Sequence, residues 1–291
     1  MPTASLQRKH FFQHILQKKE KKPPVMDFFG HVEALRWHLV RSVIAWLVMV
    51  LLIFINMDWV YDNIILAPAS QHFISYGALC NQGHWFHLGD AFCMPPVLIN
   101  FQVTEVNGTF TSAINIAMIG GLIAAFPYIC WEIWRFIKPG LSEKEVRYSR
   151  NGVFWISFFF FTGAIFGYYL LAPFTFNFLA SFSLSKSGII QYRPSVNDYI
   201  DSLTNLILGC GIAFELPVLC LVLTRIGIIS GNFLKKNFKF AFVVILIVAA
   251  VITPSPDWTS QFLVAVPLLF LYGVSVLLAT RVERQKIKEI R

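Results

Sequence analysis

Residues 206–223 read LILGCGIAFELPVLCLVL, eighteen positions in which Glu215 is the only charge. A run of this length and polarity is close to the ~20 apolar residues that cross a bilayer as a helix. A charge at the centre of a bilayer costs at least ~2.5–3.5 kcal/mol on insertion scales. The stretch therefore sets both the fold class and a functional question. It reads as a membrane span, and its one acid needs a reason to be there.

The rest of the chain supports an integral membrane protein. Of its 291 residues 56% are hydrophobic, 16% aromatic and only 14% charged, whereas soluble domains average about 25% charged residues. Five further apolar stretches are expected to span, near 37–57, 110–134, 153–182, 240–253 and 262–280; with 199–223 they make six. The fifth is short: fourteen residues at ~1.5 Å each reach about 21 Å, less than the ~30 Å hydrocarbon core. Pro127, Pro173, Pro217 and Pro267 fall in four different spans, so kinked helices are expected. Gly163 and Gly167 form a GxxxG pair that permits close helix contact.

The net charge of +8 has a distribution that argues against a nucleic-acid binder. Arg41 and Arg135 bracket 93 residues without Lys or Arg. Segments 1–41, 135–150, 225–239 and 281–291 hold 22 of the basic residues, and the alternate loops hold only Lys186 and Arg193. By the positive-inside rule both termini are expected in the cytoplasm, which requires an even number of spans. The first 36 residues have no apolar core of the signal-peptide kind, so the first span is expected to act as its own insertion signal. The organisation expected is a basic cytoplasmic extension (1–26), a membrane domain (27–280) and a basic cytoplasmic tail (281–291).

No Walker A sequence, HExxH motif or metal-ligand spacing occurs, and no cofactor or metal is expected. The seven histidines all lie at or before residue 87 and are read as surface residues. Glu33, Glu132, Glu143 and Glu145 are expected on the cytoplasmic side, where Arg36, Lys144 or Arg147 could pair with them. Glu215 is expected about ten residues from Arg225, hence roughly 15 Å deep. No cation inside a span can neutralise it, leaving a protonated acid or a carboxylate reached by water. Cys80 and Cys93 share one outer loop, where an oxidising compartment would permit a disulfide. Cys130, Cys210 and Cys220 are read as packing residues.

Several stretches together resemble one family: FFGHVEALR (28–36), FPYICWEIWRFIKPGLSEKEVR (126–147), FGYYLLAPFTFNFL (166–179), FELPV (214–218) and TPSPDWTSQ (253–261). In their order and spacing they are similar to TatC, the multispan receptor subunit of the twin-arginine protein translocase. The resemblance runs over about residues 27–280. It implies a concave, glove-like bundle of six helices in the cytoplasmic (inner) membrane. It also implies binding of twin-arginine signal peptides of folded cargo, contact with small single-span subunits of the TatA and TatB kind, self-association in a larger complex, and transport without catalysis, driven by the proton gradient. The family's binding glutamate falls on Glu145 and its phenylalanine on Phe136. Its amino-terminal acidic patch falls near Glu33 and Arg36; Ala34 stands at the usual acidic position. Its membrane-embedded glutamate falls on Glu215. Pro68, Pro139, Asp257 and Gln261 fall on other matched positions. At 271–273 the chain reads LYG where the family often has an acid. The competing reading from the residues alone is a proton-coupled small-solute transporter with Glu215 as relay. It lacks the repeats or paired broken helices that transporters usually show. A purely structural membrane scaffold would leave Glu215 unexplained.

Overall fold

A computed structural model describes residues 28–70, 73–85, 100–140, 151–181, 193–254 and 258–290. Its named elements are helical, and strand-type pairing among the described residues is limited to the single bridge Gln102–Ser195. We number the helices α1 (Phe28–Ile55), α2 (Met57–Val60), α3 (Ile74–Trp85), α4 (Gly108–Ile137), α5 (Gly152–Phe166), α6 (Ala172–Ser181), α7 (Val196–Ala213), α8 (Leu216–Ile226), α9 (Gly231–Lys236), α10 (Phe238–Ile252) and α11 (Trp258–Ile290). Five stretches are long and apolar enough to cross a membrane: 33–55, 108–137, 152–181, 196–226 and 258–284. The sixth apolar helix, α10, has 15 residues, in keeping with the short fifth span expected.

The boundaries differ from the sequence reading where polar residues continue a helix beyond its apolar part. α1 begins at Phe28, not near Trp37, so Glu33 and Arg36 stand on the helix itself. α11 runs 33 residues through the basic segment to Ile290. At ~1.5 Å per residue that is about 50 Å, well beyond one hydrocarbon core. Pro127 and Pro267 are accommodated inside continuous helices. The other two prolines lie beside real interruptions. A π-type turn over Gly167–Leu171 precedes Pro173 and joins α5 to α6. Pro217 sits in the first turn of α8, after a break at Phe214–Glu215. With no N–H at Pro217, the α7 hydrogen-bond ladder cannot run on. Instead Glu215 N–H turns back to the Ile212 carbonyl at 3.1 Å, and Leu219 N–H restarts the ladder on Glu215 at 2.9 Å.

α7 occupies the middle of the packing, touching α4, α5 and α10, while α11 runs against α8, α9 and α10. Leu171, Leu203, Leu206 and Leu268 are fully buried between them. Gly163 and Gly167 carry the closest approach. A Cβ at Gly163 would meet the Cys210 carbonyl and lie 2.8 Å from the Phe214 side chain, and one at Gly167 would lie 2.9 Å from the Leu206 carbonyl. The pair thus brings the α5 backbone directly against α7. α1 packs chiefly on α4. There Gly121 admits the Val50 backbone, and Trp46 donates from Nε1 to the Met118 carbonyl at 2.9 Å. The outward side of α1 exposes Leu39, Val43, Leu47 and Leu51, as expected of a helix facing lipid.

Outside the spans, backbone polar groups are met by side chains. The π-type turn Tyr61–Ile65 leaves carbonyls that accept from tyrosines: Tyr168 Oη reaches Ile64 at 2.8 Å and Tyr199 Oη reaches Ile65 at 2.7 Å. Tyr199 is itself clasped between the rings of Phe101 and Phe176. Buried Pro68 accepts from Tyr76 Oη at 3.1 Å. Burial raises the pKa of that Tyr76 hydroxyl, so it stays a donor. Gln102 exchanges backbone bonds with Pro194 and Val196, fastening the segment before α4 to the start of α7. On the other side, Ser230 caps α9 by accepting from Phe233 N–H. Glu283 of α11 accepts from Gly231 N–H at 3.0 Å, and Tyr272 donates to the Leu234 carbonyl at 2.9 Å.

The glycine contact predicts a steric result. Gly163→Ala forces a methyl against the α7 backbone, which cannot rotate away, and overpacking of this kind costs on the order of 1–3 kcal/mol. Its thermal unfolding midpoint in detergent is expected to fall. Gly273→Ala, with nothing within 4 Å of the new Cβ, is expected to leave the midpoint unchanged or slightly raised. Equal midpoints for the two variants would refute the close-contact account.

Candidate functional site

Two polar groupings stand out in an otherwise apolar bundle. The first lies where α1 crosses the end of α4 that leads to Lys138. α4 closes in a tight turn at Lys138–Gly140, with Pro139 exposed. One and a half turns earlier, Glu132 points into the packing and is only 1% exposed. A buried carboxylate must have its lone pairs met, and here both oxygens are engaged. Oε2 is 2.5 Å from Nδ1 of His38 on α1. Oε1 accepts from Tyr128 Oη at 3.1 Å and lies 3.6 Å from Arg135 Nη1. Arg135 in turn lies over the Trp131 ring at 4.8 Å. Phe136, one turn beyond Glu132, meets the His38 ring edge-on with centroids 6.1 Å apart.

This grouping corrects two readings. Glu132 does not pair with Arg36; its partners are His38, Tyr128 and Arg135. His38 is no surface histidine: its side chain is 18% exposed and it bridges two helices 94 residues apart in sequence. A signal was present, since His38 stands between Trp37 and Leu39 at the head of an apolar helix, where a polar ring needs a partner.

Of the residues expected to form a binding face, Glu33 and Arg36 are exposed on α1, and Phe136 is half-buried on α4. Glu33 and Arg36 make no ion pair with each other among the described residues. Glu145 lies outside the described residues, as do Asp257 and Cys93. The structure thus brings Phe136 against His38 of α1, whereas Glu33 and Arg36, five and two residues before His38, point well away from it around the same helix.

The second grouping is the Glu215 joint. Glu215 lies eleven residues, about 16 Å, from the α8 end at Ile226. It is half-buried, and its Oε1 is buried with no hydrogen-bond partner among the described residues. Oxygens in this condition are rare and costly; the carboxyl is engaged by the Phe160 backbone, and Oε1 remains as the atom with unused capacity at membrane depth. The remaining matched positions are structural in their contacts. Pro68 is buried under Tyr76, and Gln261 donates from Nε2 to the Leu246 carbonyl at 3.0 Å, tying α11 to α10. Cys80 is disulfide-bonded, whereas Cys130, Cys210 and Cys220 are free thiols. Among the described residues no group of three or more metal-ligating side chains converges.

Comparison with known proteins agrees with this architecture. Residues 30–267 match the family described as Sec-independent protein translocase protein (TatC). A protein of that name from Blattabacterium sp. subsp. Periplaneta americana (strain BPLAN) is 36% identical over 270 residues, covering 92% of this chain and 100% of its own length. Another, from Deinococcus radiodurans, is 32% identical over 267 residues, covering 92% of this chain and 90% of its own length. A crystal structure described as the twin arginine translocase receptor TatC in DDM superposes with a TM-score of 0.67 at 27% identity, covering 86% of this chain and 99% of that one. With the family model matched over residues 30–267 and relatives of 36% and 32% identity matched over nine-tenths or more of their length, the chain belongs to the Sec-independent protein translocase protein (TatC) family.

Proposed function

We propose that this chain is the twin-arginine signal-peptide receptor and assembly core of a translocase that moves folded proteins across the cytoplasmic membrane at the expense of the proton gradient. The observation that carries the reading is the end of α4, which sets the Phe136 ring beside His38 of α1; Glu145 follows nine residues later in the sequence, outside the described residues. An arginine pair is read well by a carboxylate, which accepts bidentate, charge-assisted bonds, and by an aromatic face. The charge distribution supports both termini in the cytoplasm, with α10 as the short fifth of six crossings. Residues 1–26 and 281–291 then flank the membrane domain as basic cytoplasmic segments.

The second polar grouping fits a partner role. Glu215, with an unmet oxygen at membrane depth, would hold a polar side chain of a small single-span subunit of the TatA or TatB type. The disulfide of Cys80 would close on Cys93 in the same outer loop. Self-association of receptor copies completes the assembly.

Three outcomes are expected. Glu145→Ala loses one charge-assisted contact, on the order of 1.5–3 kcal/mol, and weakens binding of a twin-arginine peptide to the purified protein by about ten- to a hundredfold. Its thermal unfolding stays unchanged, and Glu33→Ala has the smaller effect. Undiminished affinity in Glu145→Ala removes the recognition site from this position. For the outer loop, a membrane-impermeant maleimide applied to intact cells is expected to leave Cys80 and Cys93 unlabelled until reductant is added; labelling without reductant refutes the pairing. At the joint, Glu215→Gln keeps a hydrogen-bonding group and is expected to retain partial export, while Glu215→Ala loses more and still binds peptide. If both variants export normally, Glu215 has no partner to hold.

A further inference from the structure

We propose that His38 is a positioning residue for signal-peptide recognition: by gripping Glu132 and meeting the ring of Phe136, it fixes the aromatic face that a guanidinium-bearing segment uses. The inference rests on the receptor reading above and names a residue that the reading does not include. Three observations carry it. Glu132 and Phe136 are four residues apart on α4, hence on one face of the helix. Glu132 is 1% exposed with both oxygens engaged within the chain, so it cannot itself meet a peptide and acts only through what it holds. What it holds from the other helix is His38, whose ring lies 62° to the plane of Phe136 with centroids 6.1 Å apart.

The arrangement sets two things at once. An edge-on ring against Phe136 restricts the tilt of its face, which is what a cation above that face would sense. The same ring anchors α1 on α4 at a point five residues from Glu33, so α1 cannot slide or turn about its axis without breaking the Glu132 bond. His38 also accepts a local tie, since Ser42 Oγ donates to its carbonyl at 3.0 Å. Charge on α4 is drawn to the same place: Arg135 is held between Glu132 and Trp131. The clasp thus fixes Phe136 and the α1 surface bearing Glu33 and Arg36 relative to each other before a peptide arrives. Preorganisation of this kind strengthens binding by removing the cost of ordering the site.

The test uses the full chain in detergent, with 4-fluorophenylalanine at position 136, and reads the fluorine resonance without peptide. His38→Ala and Glu132→Gln are expected to shift or broaden that resonance. His38→Arg, which can still reach the carboxylate, is expected to return it toward the parent position, and a normal thermal unfolding midpoint in His38→Arg separates placement from loss of fold. In the unfluorinated chain, the affinity of a fluorescein-labelled peptide with consecutive arginines is expected to fall on the order of tenfold in His38→Ala. Combining that change with Phe136→Ala is expected to add little to either alone, because the two act as one unit. An unmoved fluorine resonance, or losses of affinity that simply add, overturns the proposal. A resonance that moves in a protein that binds no twin-arginine peptide overturns the receptor reading and the recognition half of this inference, and leaves His38 as the group that places the ring.

Discussion

A backbone in hydrocarbon has no water to bond to, so every N–H and C=O must find its partner inside the chain. That constraint accounts for the helices, and more usefully for what happens where the helices stop. Three interruptions among the described residues come with their own donor or acceptor. The outer turn at Tyr61–Ile65 offers carbonyls, and Tyr168 and Tyr199 supply hydroxyls. The start of α9 offers an N–H, and Glu283 supplies a carboxylate. The joint at Phe214–Glu215 closes on itself through the Ile212 carbonyl. What is left over after this matching is informative, and among the described residues the Glu215 Oε1 is the remainder that belongs to an ionisable group at membrane depth.

The α5–α7 contact is glycine against backbone, which neither side can relieve by changing a rotamer. The α1–α4 contact uses the same device at Gly121, against the Val50 backbone, and adds polar ties. One side of α1 is largely exposed, and its hold on α4 depends on Gly121, on the Trp46 bond and on the buried His38–Glu132 pair. Removing one member of a buried pair leaves the other uncompensated, which costs roughly 3–5 kcal/mol. The helix that carries Glu33 and Arg36 is thus packed along α4, and the His38–Glu132 tie is the one nearest the end where recognition is proposed.

Much of the architecture was legible in the sequence, for physical reasons that act locally. Apolar run length showed the spans, and the brevity of α10 could be read from the distance between Lys239 and Pro254. Pro217 marked the joint that the structure places at Phe214–Glu215, and Gly163 with Gly167 marked the tightest contact. Helix ends were less legible, because α1 and α11 continue through polar residues that no hydropathy argument includes. The inner-end grouping was least legible. Glu132 was seen as a carboxylate needing a cation, yet its partner is a histidine 94 residues away. Composition gives no hint of such a pairing, since only the packing of α1 on α4 creates it. The tyrosine bonds to Ile64 and Ile65 were hidden for the same reason.

The bond from Tyr199 to the Ile65 carbonyl spans 134 residues of chain. During synthesis, Ile65 emerges long before its donor exists. At 5–20 residues per second a ribosome takes roughly 7 to 27 s to make that interval. Throughout it the Ile65 carbonyl lacks the hydroxyl that it accepts from in the finished fold. The clasp of Tyr199 by Phe101 and Phe176 is likewise complete only when α7 has entered the bilayer. The cap over the Tyr61–Ile65 turn is therefore completed only after α7 is made, and a quality-control protease has a defined interval in which to find an unfinished chain.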